Sequence, residues 1–374
     1  MIHYSAVNQS EVPGAKAARK PRIAMVDVAK GIGILLIVLG HNTVFTDACK
    51  LLASALGAFR IPFFFFVSGV TFTLGVRTFA TIALQRADAW LKPCAVVLTG
   101  IGMAKIAAGV ATAEALILSL TYAAGFTFAW PPLWFLPHLW LVYMCATALL
   151  LYGKKLFATP LRKVLLLVAM AGIGYQLLQA FDSPKENPQC SKELEFSRDL
   201  FDCGLPFNAD LLFITLMFFL CGNFLASAIK NFRPNALATI ATLVVFLSLR
   251  YLFPIPMDLN ARIYENLLVS PLQAFSGIYI MLNICFWLSR SVSLVAVLTY
   301  FSRISLFILI FHAPVLYAIL KLMPRWVHTP WIVGVAAFVI PVAVSAIMYA
   351  VCSNIRYIKP FFFPVKTNRA SLPG

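Results

Sequence analysis

Apolar residues dominate the chain from residue 23 to residue 352, in long runs broken by short polar clusters. A helix needs roughly 20 mostly apolar residues to cross a bilayer. On that measure the runs predict crossings near 23–44, 51–75, 93–113, 132–152 and 160–181, then near 208–229, 234–254, 267–288, 304–322 and 329–352. The runs are continuous rather than alternating, which argues for helices and against a closed barrel. Two shorter stretches, "EALILSLTYAAGF" and "SLVAVLTYF", read as short interfacial helices. The expected fold is an all-α polytopic integral membrane protein with about ten transmembrane helices.

Composition points the same way. Of the 374 residues, 61% are hydrophobic and 12% charged, too few charges to cover a soluble domain of this length. The net charge of +16 raises nucleic acid as a partner, but the basic residues fall in short clusters between the apolar runs instead of one patch. Such clusters mark the cytoplasmic loops of a multi-pass protein, so no nucleic-acid partner is expected. With the N-terminus inside, the cytoplasmic clusters are Lys16/Arg19/Lys20/Arg22, Arg77/Arg86/Lys92, Lys154/Lys155/Arg162/Lys163, Lys230/Arg233, Arg290 and Arg356/Lys359/Lys366/Arg369. Together they hold 18 of the 30 basic residues. The outer stretch "FDSPKENPQCSKELEFSRDLFDCG" dilutes its basic residues with acids. The expected organisation is a cytoplasmic tail at 1–22, a transmembrane domain at 23–352 with an outer loop at 182–207, and a cytoplasmic tail at 353–374.

Residues 1–22 are polar and basic and lack the pattern of a cleavable signal peptide. A bacterial cytoplasmic (inner) membrane is the expected location. The eight cysteines are scattered without CxxC spacing, so no metal site is expected. Cys190 and Cys203 share the outer loop, where an oxidising compartment allows either a disulfide or two unpaired thiols.

Ionisable residues at membrane depth are costly and normally face a protein interior or a water-filled cavity. The first run, "VDVAKGIGILLIVLGHN", carries three: Asp27, Lys30 and His41. Asp27 and Lys30 are neighbours on one helical face, either a self-neutralising pair near the interface or part of a site. Lys30 and His41 share nearly one azimuth and lie about 16 Å apart along the axis. The second run, "FRIPFFFFVSGVTF", holds Pro62, expected to kink the helix, and Ser68, which either packs against a neighbouring helix or faces a site. Its Arg60 returns to a depth similar to that of His41, setting a cation beside an imidazole that must be neutral to act as a base. His138 in "PPLWFLPHLWLVY" reads as interfacial packing or as a site residue. His312 in "SRISLFILIFHAPVL" shares a face with Ser305, and Pro314 is expected to break the helix behind it.

Five segments taken in order, "DVAKGIGILLIVLGHN", "FRIPFFFFVSGVTF", "LWFLPHLW", "GLPFNADLLFITLMFFLCGNFL" and "SRISLFILIFHAP", resemble the landmarks of the membrane acyltransferase-3 superfamily, most closely its fucose 4-O-acetylase-like branch. The resemblance spans roughly residues 23 to 350. It implies about ten crossings and transfer of an acyl group from a cytoplasmic acyl-CoA to an extracytoplasmic glycan. The family pattern of a basic residue, ten intervening residues and a histidine fits Lys30 and His41, so the resemblance gives His41 the essential catalytic role. Two positions depart from it: the basic residue is commonly Arg, and the residue before "IPFFFF" is often His where Arg60 stands.

The leading expectation is an O-acyltransferase, most simply an O-acetyltransferase, with His41 as base or transient acyl carrier and Lys30 and Arg60 stabilising the oxyanion. The candidates for binding substrate and donor are Asp27, Asn42, Ser68, Arg77, Arg86, Trp134, His138, Arg303 and His312. Acetyl-CoA serves as co-substrate with no bound cofactor, and the partners are a surface polysaccharide or lipid-linked glycan and the lipid bilayer. The alternative is a transporter or glycan flippase with a histidine/lysine proton relay. Few carboxylates at mid-membrane and no apparent internal repeat weigh against it.

Overall fold

The computed structural model describes residues 24–75, 77–128, 130–181, 199–254, 257–264 and 266–365. Among the described residues the chain is helical, with no strand and a single isolated bridge between Asp258 and Ile263. Among the described residues nine helices are long and apolar enough to cross a bilayer: Ala24–His41, Lys50–Thr71, Phe79–Ala107, Pro131–Tyr152, Pro160–Gln179, Pro206–Phe224, Val269–Leu288, Ser305–Arg325 and Pro330–Asn354. The crossing expected at 234–254 is an apolar helix of 17 residues, Ala236–Leu252. It is shortened at both ends by proline. Pro234 precedes its cap Asn235, whose side chain accepts from the Ala238 N–H at 2.9 Å, and Pro254 follows it. The two stretches read as interfacial form helices Ala113–Tyr122 and Val292–Arg303.

The bundle is apolar on its outer face as well as in its core. Helix Ala236–Leu252 exposes Leu237, Ile240, Val244, Leu247 and Tyr251, an apolar stripe with alternating spacings of three and four that faces lipid. The interior holds Asn42, Ser68, His138, Asp210, Thr215, Gln273 and His312, all buried. Polar groups in a bilayer find partners only within the protein.

Seven helices build the site, labelled here in chain order: α1 (Ala24–His41), α2 (Arg60–Thr71), α3 (Phe135–Tyr152), α4 (Leu212–Phe224), α5 (Val292–Arg303), α6 (Ser305–Leu322) and α7 (Pro330–Asn354). Two prolines act differently from expectation. The break before α2 falls at Phe59 (φ −137°), so Pro62 lies in the first turn, where its missing N–H costs no helical bond. Pro314 sits inside α6, which continues through it to Leu322. Close packing of α6 on α7 holds the helix together there.

Small residues bring α2 and α4 into backbone contact. A Cβ on Gly69 would lie 1.8 Å from the Phe219 carbonyl oxygen, and one on Gly222 would lie 2.0 Å from the Phe66 carbonyl oxygen. The two glycines thus interlock across one crossing, the usual way membrane helices gain packing without a hydrophobic drive. Gly222→Ala forces the backbones apart and is expected to cost about 1–3 kcal/mol, as overpacking does. A fall in melting temperature in detergent, with the fold retained by circular dichroism, checks this.

Cys203 is disulfide-bonded and Cys190 lies outside the described residues. Cys49, Cys94, Cys145, Cys221, Cys285 and Cys352 are free thiols.

Candidate active site

The N-terminal half of α1 borders a cavity of about 330 Å³ that also touches α2, α3, α5 and α6. Three cations line it, Lys30, Arg86 and Arg303, with one carboxylate, Asp27. Hydroxyls from Ser68, Tyr143, Ser302 and Ser305 share the wall. Arg86 is held in place by aromatic faces: its guanidinium lies 5.1 Å from the Trp90 ring centre and 5.0 Å from that of Tyr143. Stacking of this kind pre-orders the donor fork of an arginine and favours recognition of phosphate. Ile34, Phe64, Phe135 and Leu309 add apolar surface to the lining.

The neighbouring cations do not join it. Arg77 is exposed and donates to Gln85 Oε1 at 3.1 Å. Lys92 pairs with Asp88 at 2.5 Å and donates to the Phe363 carbonyl at 2.9 Å, anchoring the C-terminal segment. Of the Arg77, Arg86 and Lys92 cluster, the fold brings only Arg86 into the cavity. Arg303 reaches it because α5 ends where α6 begins, at Ile304.

At the far end of α1 a second group of polar residues meets. His41 is the last residue of the helix, and the chain turns immediately after it. Asn42 fixes that turn: its side chain accepts from the Phe45 N–H at 3.3 Å and donates to the Gly334 carbonyl of α7 at 2.7 Å. Buried and doubly engaged, Asn42 holds the site together and sets where His41 points. Arg60 packs its guanidinium flat on Gly40, where a Cβ would lie 1.7 Å from Nη1. The absence of a side chain at residue 40 is what lets the cation reach the histidine. His312 of α6 completes the group, with its ring centre 5.4 Å from that of His41 and a tilt of 43°. Asp258, one half of the isolated bridge, lies within electrostatic reach of both His41 and Arg60.

The cavity and the histidines are adjacent. Leu309 lines the cavity, and His312 follows it by three residues, about 4.5 Å of helical rise. Lys30, on the cavity wall, and His41, at the end of the helix, lie eleven positions apart on α1.

A model of an acyltransferase domain matches residues 23–350, most of the chain. The chain belongs to the acyltransferase-3 family. No curated protein and no solved structure matches it significantly. The acyltransferase is a multi-pass membrane protein, as its apolar helices and its family both require.

His138 of the acyltransferase lies apart from both groups. Nδ1 is 3.0 Å from the Phe207 carbonyl and Nε2 is 2.9 Å from Thr215 Oγ1, so both ring nitrogens are engaged within the protein. Trp134 stacks against it at 5.5 Å. The two residues pin a kink at which Phe207 (φ 58°) and Asn208 (φ 52°) take left-handed backbone angles. Beside that kink, Arg262 and Asp210 form an ion pair at 3.1 Å with 1% and 0% of their side chains exposed. Burial pulls the Arg262 guanidinium below the ordinary arginine value, and the Asp210 carboxylate pulls it back up. Removing one partner strands the other charge, so Arg262→Ala is expected to cost about 3–5 kcal/mol, and pairing it with Asp210→Ala recovers part of the loss. A double-mutant cycle on detergent melting temperatures reads this coupling.

Trp90, Tyr143, Asp258 and the Arg262–Asp210 pair were not among the residues expected from sequence. Trp90 and Tyr143 look like ordinary interfacial aromatics until Arg86 is seen over both rings. Asp258 lies 217 positions from His41 in a loop with no recognisable motif.

Proposed function

We propose that this acyltransferase moves an acetyl group from acetyl-CoA, bound from the cytoplasm, to a hydroxyl of a surface polysaccharide or its lipid-linked precursor across the bacterial inner membrane. Lys30, Arg86 and Arg303 grip the phosphates of coenzyme A in the cationic end of the cavity. Ser68 and the other hydroxyls hydrogen-bond along the donor, and Asp27 keeps the cation cluster from over-binding it. The pantetheine arm runs past Ile34, Phe64 and Leu309 toward His41, a path of about 16 Å along α1, which an arm of roughly 15–20 Å spans. His41 takes the proton of the acceptor hydroxyl, and the freed oxygen attacks the thioester carbonyl. The C–O bond forms, the C–S bond breaks, and the departing thiolate takes its proton from His41. Arg60, held on Gly40 beside the ring, faces the charge that develops on the carbonyl oxygen.

The observation that carries this reading is a cavity lined by three cations near the start of α1 together with a histidine pair, His41 and His312, where the same helix ends. The reading is tested by glycan mass spectrometry of a strain lacking the gene. Loss of an acetyl increment, restored by the wild-type protein and not by His41→Ala, is the expected result. An unchanged glycan profile contradicts it.

A further inference from the structure

His312 has a fixed protonation pattern and a nitrogen that nothing uses. Its Nδ1 lies 2.7 Å from the Ile308 carbonyl oxygen and 3.0 Å from that of Leu309. Carbonyls only accept, so Nδ1 carries the proton and Nε2 of the neutral ring carries a lone pair. The residue is fully buried, and among the described residues that Nε2 makes no hydrogen bond. A stranded buried acceptor is costly, and native interiors rarely retain one without a use. The ring that stands next to it is His41, centre to centre 5.4 Å. At that separation two ring nitrogens turned toward each other come within about 3 Å, hydrogen-bond range.

We infer that His312 is a positioning residue for His41: its Nε2 accepts the N–H of the His41 ring and thereby leaves the other His41 nitrogen unprotonated toward the acceptor hydroxyl. This rests on the reading of His41 as the base. The carbonyls of Ile308 and Leu309 orient His312, and His312 orients His41, so the tautomer of the reacting ring is set by backbone two steps away. Throughout the transfer His312 keeps its own Nδ1 proton and takes none. The proton goes from acceptor hydroxyl to His41 and from His41 to the thiolate. When His41 is briefly a cation, its second N–H is already directed at a lone pair, which stabilises it as an orienting carboxylate would in a soluble site. A neutral imidazole does this without adding an anion to the membrane interior, where a lone charge is expensive. The charged groups facing His41 are Arg60 and Asp258, which lie in reach of each other, leaving His312 as the neutral partner.

Leu309 gives the arrangement a further consequence. The carbonyl that holds His312 belongs to a residue that lines the donor cavity. The positioning chain therefore begins at the wall along which the acyl arm lies.

The test uses the purified full-length protein in detergent with acetyl-CoA and the extracted surface glycan fraction, comparing wild type, His41→Ala, His312→Phe and His312→Gln. His312→Phe keeps the ring volume and removes both nitrogens. His312→Gln keeps an amide N–H for the backbone carbonyls and an amide oxygen to accept from His41. The expected result is a fall in kcat of about 10–10²-fold for His312→Phe, the scale typical of an outer partner of a functional histidine. KM for acetyl-CoA and melting temperature stay near wild type, and His312→Gln recovers most of the loss. Wild-type kcat in His312→Phe overturns the proposal. So does an equal loss in Phe and Gln variants together with lowered melting temperatures, which marks a packing role. If His41→Ala retains activity, the reading of His41 as base fails and the positioning role fails with it. If His41→Ala is dead and His312→Phe is fully active, only the role of His312 fails.

Discussion

Replacing His41 by alanine lowers the rate of acyl transfer by about 10²–10⁴-fold, the range that a positioned general base contributes. The loss falls on kcat and leaves KM for acyl-CoA near its wild-type value, because His41 stands at the far end of α1 from the cations proposed to bind the donor. The fold survives the change: α1 keeps its helix, Asn42 still caps the next turn, and the cavity at the other end is untouched. A purified variant with wild-type melting temperature and no transfer gives the expected result. A variant that transfers at more than about a tenth of the wild-type rate removes His41 from the chemistry.

The second large effect is the mirror image. Arg86→Ala and Arg303→Ala each remove a charge-assisted contact worth about 1.5–3 kcal/mol, so each raises KM for acyl-CoA roughly tenfold or more. Effects on kcat are smaller, because phosphates remote from the thioester are bound alike in ground and transition states. Arg86→Lys does not restore binding, since a lysine ammonium cannot lie over the Trp90 and Tyr143 rings and present a planar fork as arginine does. Arg77→Ala, at an exposed residue paired with Gln85, leaves both constants unchanged and serves as the control. Kinetics at varied acetyl-CoA concentration separate these outcomes. A kcat loss with constant KM at Arg86 and Arg303 contradicts the donor assignment.

Much of this molecule is legible in its sequence because a bilayer leaves the chain few options. Runs of apolar residues near the length of a crossing place most of the helices to within a few residues, and even the proline-bounded helix Ala236–Leu252 appears where its run does, whereas the third crossing, expected at 93–113, spans Phe79–Ala107. The same economy exposes the site. An ionisable residue inside an apolar run is costly enough to stand out, and Lys30, His41, Arg60 and His312 all do. What the sequence does not carry is which of these meet. His138 and His312 look alike as buried histidines beside prolines, yet one is engaged by Phe207 and Thr215 at both ring nitrogens, while the other stands beside His41 with its Nε2 unbonded among the described residues. That difference lies in the packing of α6 against α1 and of α3 against α4, contacts between residues far apart along the chain. Arg60 is similar. Its depth follows from the hairpin, but its contact with His41 depends on Gly40 having no side chain, a condition visible only once the two helices are packed.

The prolines show the opposite limit. A lone Pro314 reads as a helix breaker, and a local rule has no way to register that α7 packs along α6 and supports the turn it weakens. Pro62 reads as a kink because the break that makes it a first-turn residue is set at Phe59, by neither glycine nor proline.

The central claim is that a donor bound at the N-terminal end of α1 acylates an acceptor at the His41 end. Sided proteoliposomes test it most directly. Radiolabelled acetyl-CoA is supplied on the face that carries the N-terminal tail, and the extracted surface glycan on the other, with His41→Ala vesicles in parallel. The account predicts labelled glycan in wild-type vesicles, none with the donor and acceptor sides exchanged, and none in His41→Ala. Transfer that requires donor and acceptor on the same face, or labelling that persists in His41→Ala, contradicts it.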